Sequence, residues 1–209
     1  PEVDYVKAKV DGELWYVSEQ CADKLTYQDH EVEIIEKVPG KYFIGKTCFA
    51  PFVEKEIIIL PSIHCDPEIG TGIVTCVPSD APFDYISLKE LWDSKEMCEK
   101  YGLDHEVIKK IKLIPIIKSK GYGDFPGKEI CEKNKITSLS QEKELQEATQ
   151  EIYKAGFHTG KLMETCGSYK GLPVTEAKEK MKKELLSKEK AIIFYETSRK
   201  AVSRDGGEI

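Results

Sequence analysis

Along the first sixty residues apolar positions recur with period two, in short runs cut by turn residues; beyond residue 80 the spacing becomes helical. Residues 5–10 and 13–17 read as two strands, and Asp11-Gly12 between them is the two-residue signal for a type I′ hairpin. Ser18 predicts the cap of a short helix over residues 19–25. A third strand over 31–38 carries Val32 and Ile34 in alternation, then Ile35 out of phase, and stops at Pro39-Gly40. Residues 42–44 and 56–60 add two more strands. Five short strands divided by turn signals predict a barrel or a curled sheet.

Residues 70–85 mark the change of character. Gly70-Thr71-Gly72 opens the stretch, Ile73 to Val77 is an apolar run that predicts a buried strand, and Pro78 stops it. An acidic turn then leads into a helix over 83–100, with Leu88, Leu91, Trp92 and Met97 on one stripe. Further helices are predicted from Asp104 as cap through 111, over 128–133, and over 175–188 with Ala177, Met181 and Leu185 inward. Ser138 and Gln141 fit a capping box before the strongest helix, which carries Leu145, Ala148, Ile152 and Tyr153, with Gly156 near its end. Residues 112–117, 191–195 and 200–203 read as strands. With no internal repeat or clear linker, the economical reading is one α+β domain: a β-barrel core with helical additions in the second half.

The corner at 70–85 is also where chemistry is expected. Glycines expose backbone, and Asp84 sets a carboxylate at a helix mouth, an arrangement suited to a ligand whose amine must be held. The plain alternative for Asp84 is a first-turn acid supporting the helix dipole. Asp80, with Pro82 two residues on, reads as an N-cap. Strand alternation puts Thr75 and Val77 on one face, either shaping a pocket or packing the core, and turns Cys76 the other way as a core thiol.

The bulk numbers narrow the field. The chain has 209 residues, 40% of them hydrophobic and 33% charged, which suits a packed domain with a mixed-sign surface. Its formal net charge of −6 argues against a general nucleic-acid binder, so an RNA partner must meet a local basic patch or be held by a larger protein. No apolar run approaches bilayer length, and the opening Pro1-Glu2-Val3 reads as an internal point of a longer protein. The seven cysteines stand singly without a Cys-x-x-Cys pair, favouring reduced thiols over zinc or disulfides. His64, Cys65 and Asp66 have no second cluster at metal-ligand spacing. Neither a nucleophilic triad nor a Walker-type loop is present, and the lysines at 109–120 and 178–183 read as solvated faces with at most a minor phosphate contact.

The run Gly70-Thr71-Gly72-Ile73-Val74-Thr75-Cys76-Val77-Pro78-Ser79-Asp80-Ala81-Pro82-Phe83-Asp84-Tyr85 closely resembles the core motif of the editing domain inserted into leucyl-tRNA synthetases, in the archaeal and eukaryotic cytosolic version. Leu25-Thr26-Tyr27-Gln28-Asp29, Gly121-Tyr122-Gly123-Asp124-Phe125-Pro126 and Ile152-Tyr153-Lys154 match in the same order, so the resemblance spans the chain from Pro1 to Val202-Ser203-Arg204. The isoleucyl and valyl enzymes usually carry His where this chain has Thr75.

The resemblance implies hydrolysis of the ester between tRNA-Leu and a wrong amino acid (isoleucine, methionine, valine or norvaline) with leucine excluded by shape. It implies Asp84 as the anchor of the α-ammonium, and Ile69, Gly70, Thr71, Gly72, Thr75, Val77 and Ser79 as substrate-binding positions. Ile69 would pack on the terminal adenine, the glycine turn would approach its ribose, and backbone around Val77–Ser79 would position the ester. The domain needs no cofactor of its own; ATP and Mg serve the parent enzyme's synthetic site. Its partners are the 3′ end of mischarged tRNA-Leu and the catalytic body of the parent synthetase, in the cytoplasm, with no membrane and no DNA. Two departures bear on this: Ala81 stands where bacterial relatives tend to have an additional Asp, and the family's upstream Thr-x-Arg-Pro-Glu-Thr segment is absent from this sequence, so impaired activity is expected of it. The alternative is a non-catalytic tRNA- or protein-binding module, supported by the lysine-rich second half.

Overall fold

The structure, a computed structural model, describes residues 3–50, 55–197 and 204. Two compact units emerge, one from Pro1–Tyr42, Ile63–Val74 and Glu189–Ile209, the other from Phe43–Ser62 and Thr75–Lys188.

The first unit is a three-stranded antiparallel sheet with a helix on it. Strands β1 (Asp4–Val10), β2 (Glu13–Ser18) and β3 (Val32–Pro39) stand in the order β2-β1-β3, and helix α1 (Glu19–Thr26) follows β2. The hairpin forms as expected: Asp11 and Gly12 both adopt positive φ (49° and 92°), the type I′ geometry that matches strand twist. Ser18 is the helix cap, its Oγ accepting from the Cys21 amide at 3.1 Å. The out-of-phase Ile35 has a cause: Lys7 pairs with Glu36 but Ala8 with Ile34, so a bulge leaves Ile35 over. Val6, Ala8 and Val10 on one face of β1 pack with Val17, Cys21, Ala22 and Leu25, and Phe194 joins from the C-terminal segment. Residues 191–195 do not form the expected strand. The Gln28 side chain holds them instead, accepting from the Tyr195 amide at 2.7 Å and donating to its carbonyl at 2.9 Å. The strand expected over 200–203 lies outside the described residues.

In the second unit β4 (Thr47–Ala50) pairs antiparallel with β5 (Lys55–Ile58). The strand expected at 42–44 is absent. A 3-10 turn covers Gly40–Tyr42, and Gly45 at φ 82° turns the chain before β4 begins. The helix expected over 83–100 is two, α2 (Pro82–Asp93) and α3 (Lys95–Lys100). Ser94 lies between them with extended φ/ψ (−123°, 105°), and its Oγ accepts from the Met97 amide at 3.1 Å, so a new N-cap interrupts the periodic run. Helix α4 (His105–Ile108) starts at Asp104 as expected.

The strand expected over 112–117 shrinks to β6 (Ile117–Lys118), because Pro115 has no amide to give a ladder. Helix α5 (Pro126–Lys133) precedes α6 (Glu142–Thr159), which begins one turn later than the capping box implies. Gln141 reaches back to the Ser138 amide at 3.3 Å, but the Ser138 hydroxyl accepts from Ser140, so half of the box forms. Strand β7 (Lys161–Leu162) pairs with β6, and α7 (Val174–Ser187) closes the unit. Tyr85 and Ile86 of α2, Ile130 and Cys131 of α5, and Leu145, Ala148 and Ile152 of α6 make one core; Leu91, Cys98, Leu103 and Ile108 make another. The α+β class is what is observed.

Residues 73–77 form no strand. Ile73 and Val74 are about half exposed, at 49% and 53%, between Gly72 at φ 71° and Pro78. An apolar run does not by itself distinguish a buried strand from an extended surface segment, and here it is the latter. The boundary between the two units falls inside it, after Val74.

Candidate functional site

Ile69, Gly70, Thr71 and Gly72 belong to the first unit. They form a tight turn in which the Gly72 amide donates to the Ile69 carbonyl at 3.0 Å. Gly70 (φ 53°) and Gly72 (φ 71°) both need the left-handed region. At Gly72 space matters as well, since a Cβ would lie 2.8 Å from Ser18 Cβ. The turn is pinned to the sheet from below. The Tyr5 hydroxyl donates to the Gly72 carbonyl at 2.8 Å, and the Ser18 amide donates to the Thr71 carbonyl at 2.9 Å. Burial, and then Cys65 nearby, push the Tyr5 phenol up to about 12, so it remains a donor. Ile69 is 62% exposed at the tip. The Gly70 amide already has a partner that sequence reasoning did not foresee: Glu196 Oε2, at 3.0 Å.

Thr75, Val77, Ser79 and Asp84 belong to the second unit. Asp84 sits in the first turn of α2, half-buried, and its Oδ2 accepts from the Val77 amide at 2.7 Å. The carboxylate is therefore oriented by backbone seven residues earlier and favoured by the helix N-terminus. Thr75 is exposed and Val77 half-buried; with no strand there, alternation no longer assigns their faces. Cys76 is exposed, which corrects its reading as a core thiol. Ser79 is 1% exposed and its hydroxyl donates to Asp80, while its carbonyl accepts from the Gly127 amide at 2.9 Å.

Asp80 is not the helix cap. Ala81 holds that position with no side-chain cap bond, and Asp80 points inward, 6% exposed. Its Oδ1 accepts from the Ile117 amide of β6 at 3.2 Å, and its Oδ2 accepts from the Ser79 hydroxyl. Burial pushes the carboxyl up to about 6, with the two hydrogen bonds pulling the other way. Tyr153 on α6 is 58% exposed and stands near both acids: partial desolvation, then Asp84 and Asp80, raise its phenol. The only sequence sign of this cluster was Ile152-Tyr153-Lys154 in the family pattern. Nothing in the local pattern announced that Asp80 would turn inward. Among the described residues no group of three or more His, Cys, Asp or Glu side chains is placed to hold a metal.

No protein-family model matches the chain. Among curated proteins it is 43% identical to the leucine–tRNA ligase of Pyrococcus horikoshii over 211 residues, covering 99% of this chain and 22% of the relative. It is 42% identical to that of Methanocaldococcus jannaschii, covering 97% and 21%. The chain thus spans about a fifth of the length of the curated relatives it matches. Among solved structures, GlLeuRS-CP1 superposes with a TM-score of 0.84 at 28% identity, over 95% of this chain and 76% of that one. The P. falciparum cytosolic leucyl-tRNA synthetase editing domain superposes with a TM-score of 0.79 at 26% identity, over 93% and 72%. In sequence and in fold, the chain belongs to the editing domains of leucyl-tRNA synthetases.

Proposed function

We propose that the chain hydrolyses the ester of mischarged tRNA-Leu after transfer, with Asp84 gripping the α-ammonium of the wrong amino acid. The observation that carries the reading is the Asp84 carboxylate itself: half-buried, at a helix N-terminus, and oriented by the Val77 amide at 2.7 Å. A carboxylate so held makes charge-assisted hydrogen bonds to a cation without reorganising. The need for such a site follows from binding arithmetic. A synthetic pocket discriminates one aliphatic side chain from another by only about 1–3 kcal/mol per methylene, too little for accurate translation, so a second, hydrolytic site is required.

In this reading the Gly70–Gly72 backbone takes the ribose of the terminal adenosine and Ile69 its base. Thr75 and Val77 shape the amino-acid side of the substrate site, and backbone near Ser79 positions the ester. A water attacks the carbonyl, assisted by a ribose hydroxyl of the substrate, and much of the rate comes from positioning. The partners are the 3′ end of tRNA-Leu and the synthetic body of the ligase, in the cytoplasm.

A purely RNA-binding module gains little support from the lysines of the second half, several of which pair with acidic neighbours. Lys109, Lys118, Lys180 and Lys188 pair with Glu106, Asp124, Glu176 and Glu184. In the intact ligase, Asp84→Ala is expected to lower deacylation of Ile-tRNA-Leu at least about 100-fold, leaving leucylation unchanged. Deacylation at the wild-type rate would remove Asp84 from the mechanism.

A further inference from the structure

We propose that Asp80 is a positioning residue for Asp84: its buried carboxyl ties the 77–81 turn to β6, and that turn delivers the Val77 amide that orients the Asp84 carboxylate. The inference rests on the reading of Asp84 as the ammonium anchor. Both backbone polar groups of Val77 are engaged. Its amide donates to Asp84 at 2.7 Å, and its carbonyl accepts from the Asp80 and Ala81 amides, each at 2.9 Å. A displacement of Asp80 therefore moves Val77, and with it the donor that aims Asp84.

The turn is held against the body of the unit at two points. Asp80 Oδ1 accepts from Ile117 on β6 at 3.2 Å, and the Ser79 carbonyl accepts from Gly127 on α5 at 2.9 Å. The backbone of α5 comes so close that a Cβ on Gly127 would lie 2.9 Å from the Asp80 carbonyl carbon and 3.0 Å from the Ala81 nitrogen. Two donors, the part-buried Ile117 amide and the buried Ser79 hydroxyl, converge on the Asp80 carboxyl, which supplies one oxygen to each. Truncating it would orphan both. At 6% exposure it does not reach a substrate, and because Ala81 holds the cap position, helix capping does not account for it. Burial of the carboxyl is opposed by its two hydrogen bonds, which fix where it sits.

The test compares Asp80→Ala, Asp80→Glu and Asp80→Asn in the intact ligase, with thermal melts to establish folding. Two readouts are used: deacylation of Ile-tRNA-Leu and amide exchange at Val77. Asp80→Ala is expected to lower kcat/KM about 100-fold and to speed Val77 exchange at least about tenfold. Asp80→Glu, which keeps the charge but displaces the turn by a methylene, is expected to lose activity in the same direction and stands in if the alanine variant does not fold. Asp80→Asn can still accept from Ile117 and donate to Ser79, so it should stay within about threefold of wild type on both readouts. In an Asp84→Ala background, Asp80→Ala should add no further loss, as expected of residues acting as one unit.

A folded Asp80→Ala or Asp80→Glu variant with wild-type turnover and Val77 protection would overturn the proposal, as would an asparagine variant damaged as badly as the alanine one. Should the wild-type ligase not deacylate mischarged tRNA at all, the editing reading falls. The Val77 exchange comparison alone then upholds or overturns the positioning role.

Discussion

At the scale of single residues, the Asp80 carboxyl sets burial against charge. Its folded-state value of about 6 lies above the ordinary carboxylate value because burial disfavours the ionised form more than the Ser79 and Ile117 hydrogen bonds favour it. Below about pH 4 the group is protonated in both the folded and unfolded chain, and its contribution to stability is fully present. As the pH rises through 6 the folded state must ionise a buried acid, and stability is lost; a shift of roughly two units corresponds to up to about 3 kcal/mol. The titratable neighbours are Tyr153 and Cys166, both shifted upward with Asp80 among the causes. Both remain neutral across this window. Asp80→Asn removes the ionisation while keeping the Ile117 hydrogen bond and reversing the direction of the Ser79 one. Its stability relative to wild type should therefore grow between pH 4 and pH 7, by up to about 3 kcal/mol, in urea titrations followed by circular dichroism. A difference independent of pH would show that Asp80 is not the titrating group.

Elements are where sequence and structure part company in instructive ways. The hairpin at Asp11-Gly12, the Ser18 cap, the Leu145, Ala148 and Ile152 face of α6 and Ala177 of α7 were legible because local chemistry alone decides them: positive φ, one side-chain acceptor, a 3.6-residue stripe. Tyr153, read on the same side of α6, is instead 58% exposed, and Met181 and Leu185 of α7 are only half-buried. Residues 73–77 were not legible, because Ile73 and Val74 are apolar in composition but lie at the surface, and no single-sequence pattern records what covers a residue. Asp84 at a helix mouth could be read directly. The inward turn of Asp80 could not, since Asp before Pro at a helix start reads as a cap, and only contact with Ile117, 37 residues away, decides otherwise. The division between α2 and α3 turns on Ser94, whose side chain competes with continuation of one long helix. Ser94→Ala is expected to cost about 1 kcal/mol, lowering Tm by roughly 2–4 °C, while Ser94→Asp should keep most of the stability. An unchanged Tm in the alanine variant would mean that tertiary packing of Trp92 and Cys98, not the cap, sets the break.

For the molecule as a whole, the question is how an acidic chain handles a polyanion. The net charge is −6, and several lysines are committed to acidic neighbours: Lys89 to Asp93, Lys109 to Glu106, Lys118 to Asp124, Lys180 to Glu176 and Lys188 to Glu184. Most of these side chains are exposed, so each pair contributes little stability. Each does, however, neutralise a charge that a phosphate would otherwise meet. Under the function proposed above, docking of tRNA by this chain would therefore depend on few phosphate contacts, with recognition resting on the terminal nucleoside and the ammonium. Each phosphate neutralised contributes roughly 0.7–0.9 to the slope of log affinity against log salt. The chain by itself should thus bind tRNA-Leu weakly, with a slope shallower than about −2 and less than about a twentyfold change in Kd between 50 and 200 mM salt. The intact ligase should show a much steeper slope, contributed by surfaces outside this chain. If the chain alone reproduced the ligase's slope, and substitution of Lys109, Lys110 and Lys112 by Gln flattened it by about two, a basic face of this domain would carry the docking. Anchoring of the substrate through Asp84 would then be secondary to electrostatic capture.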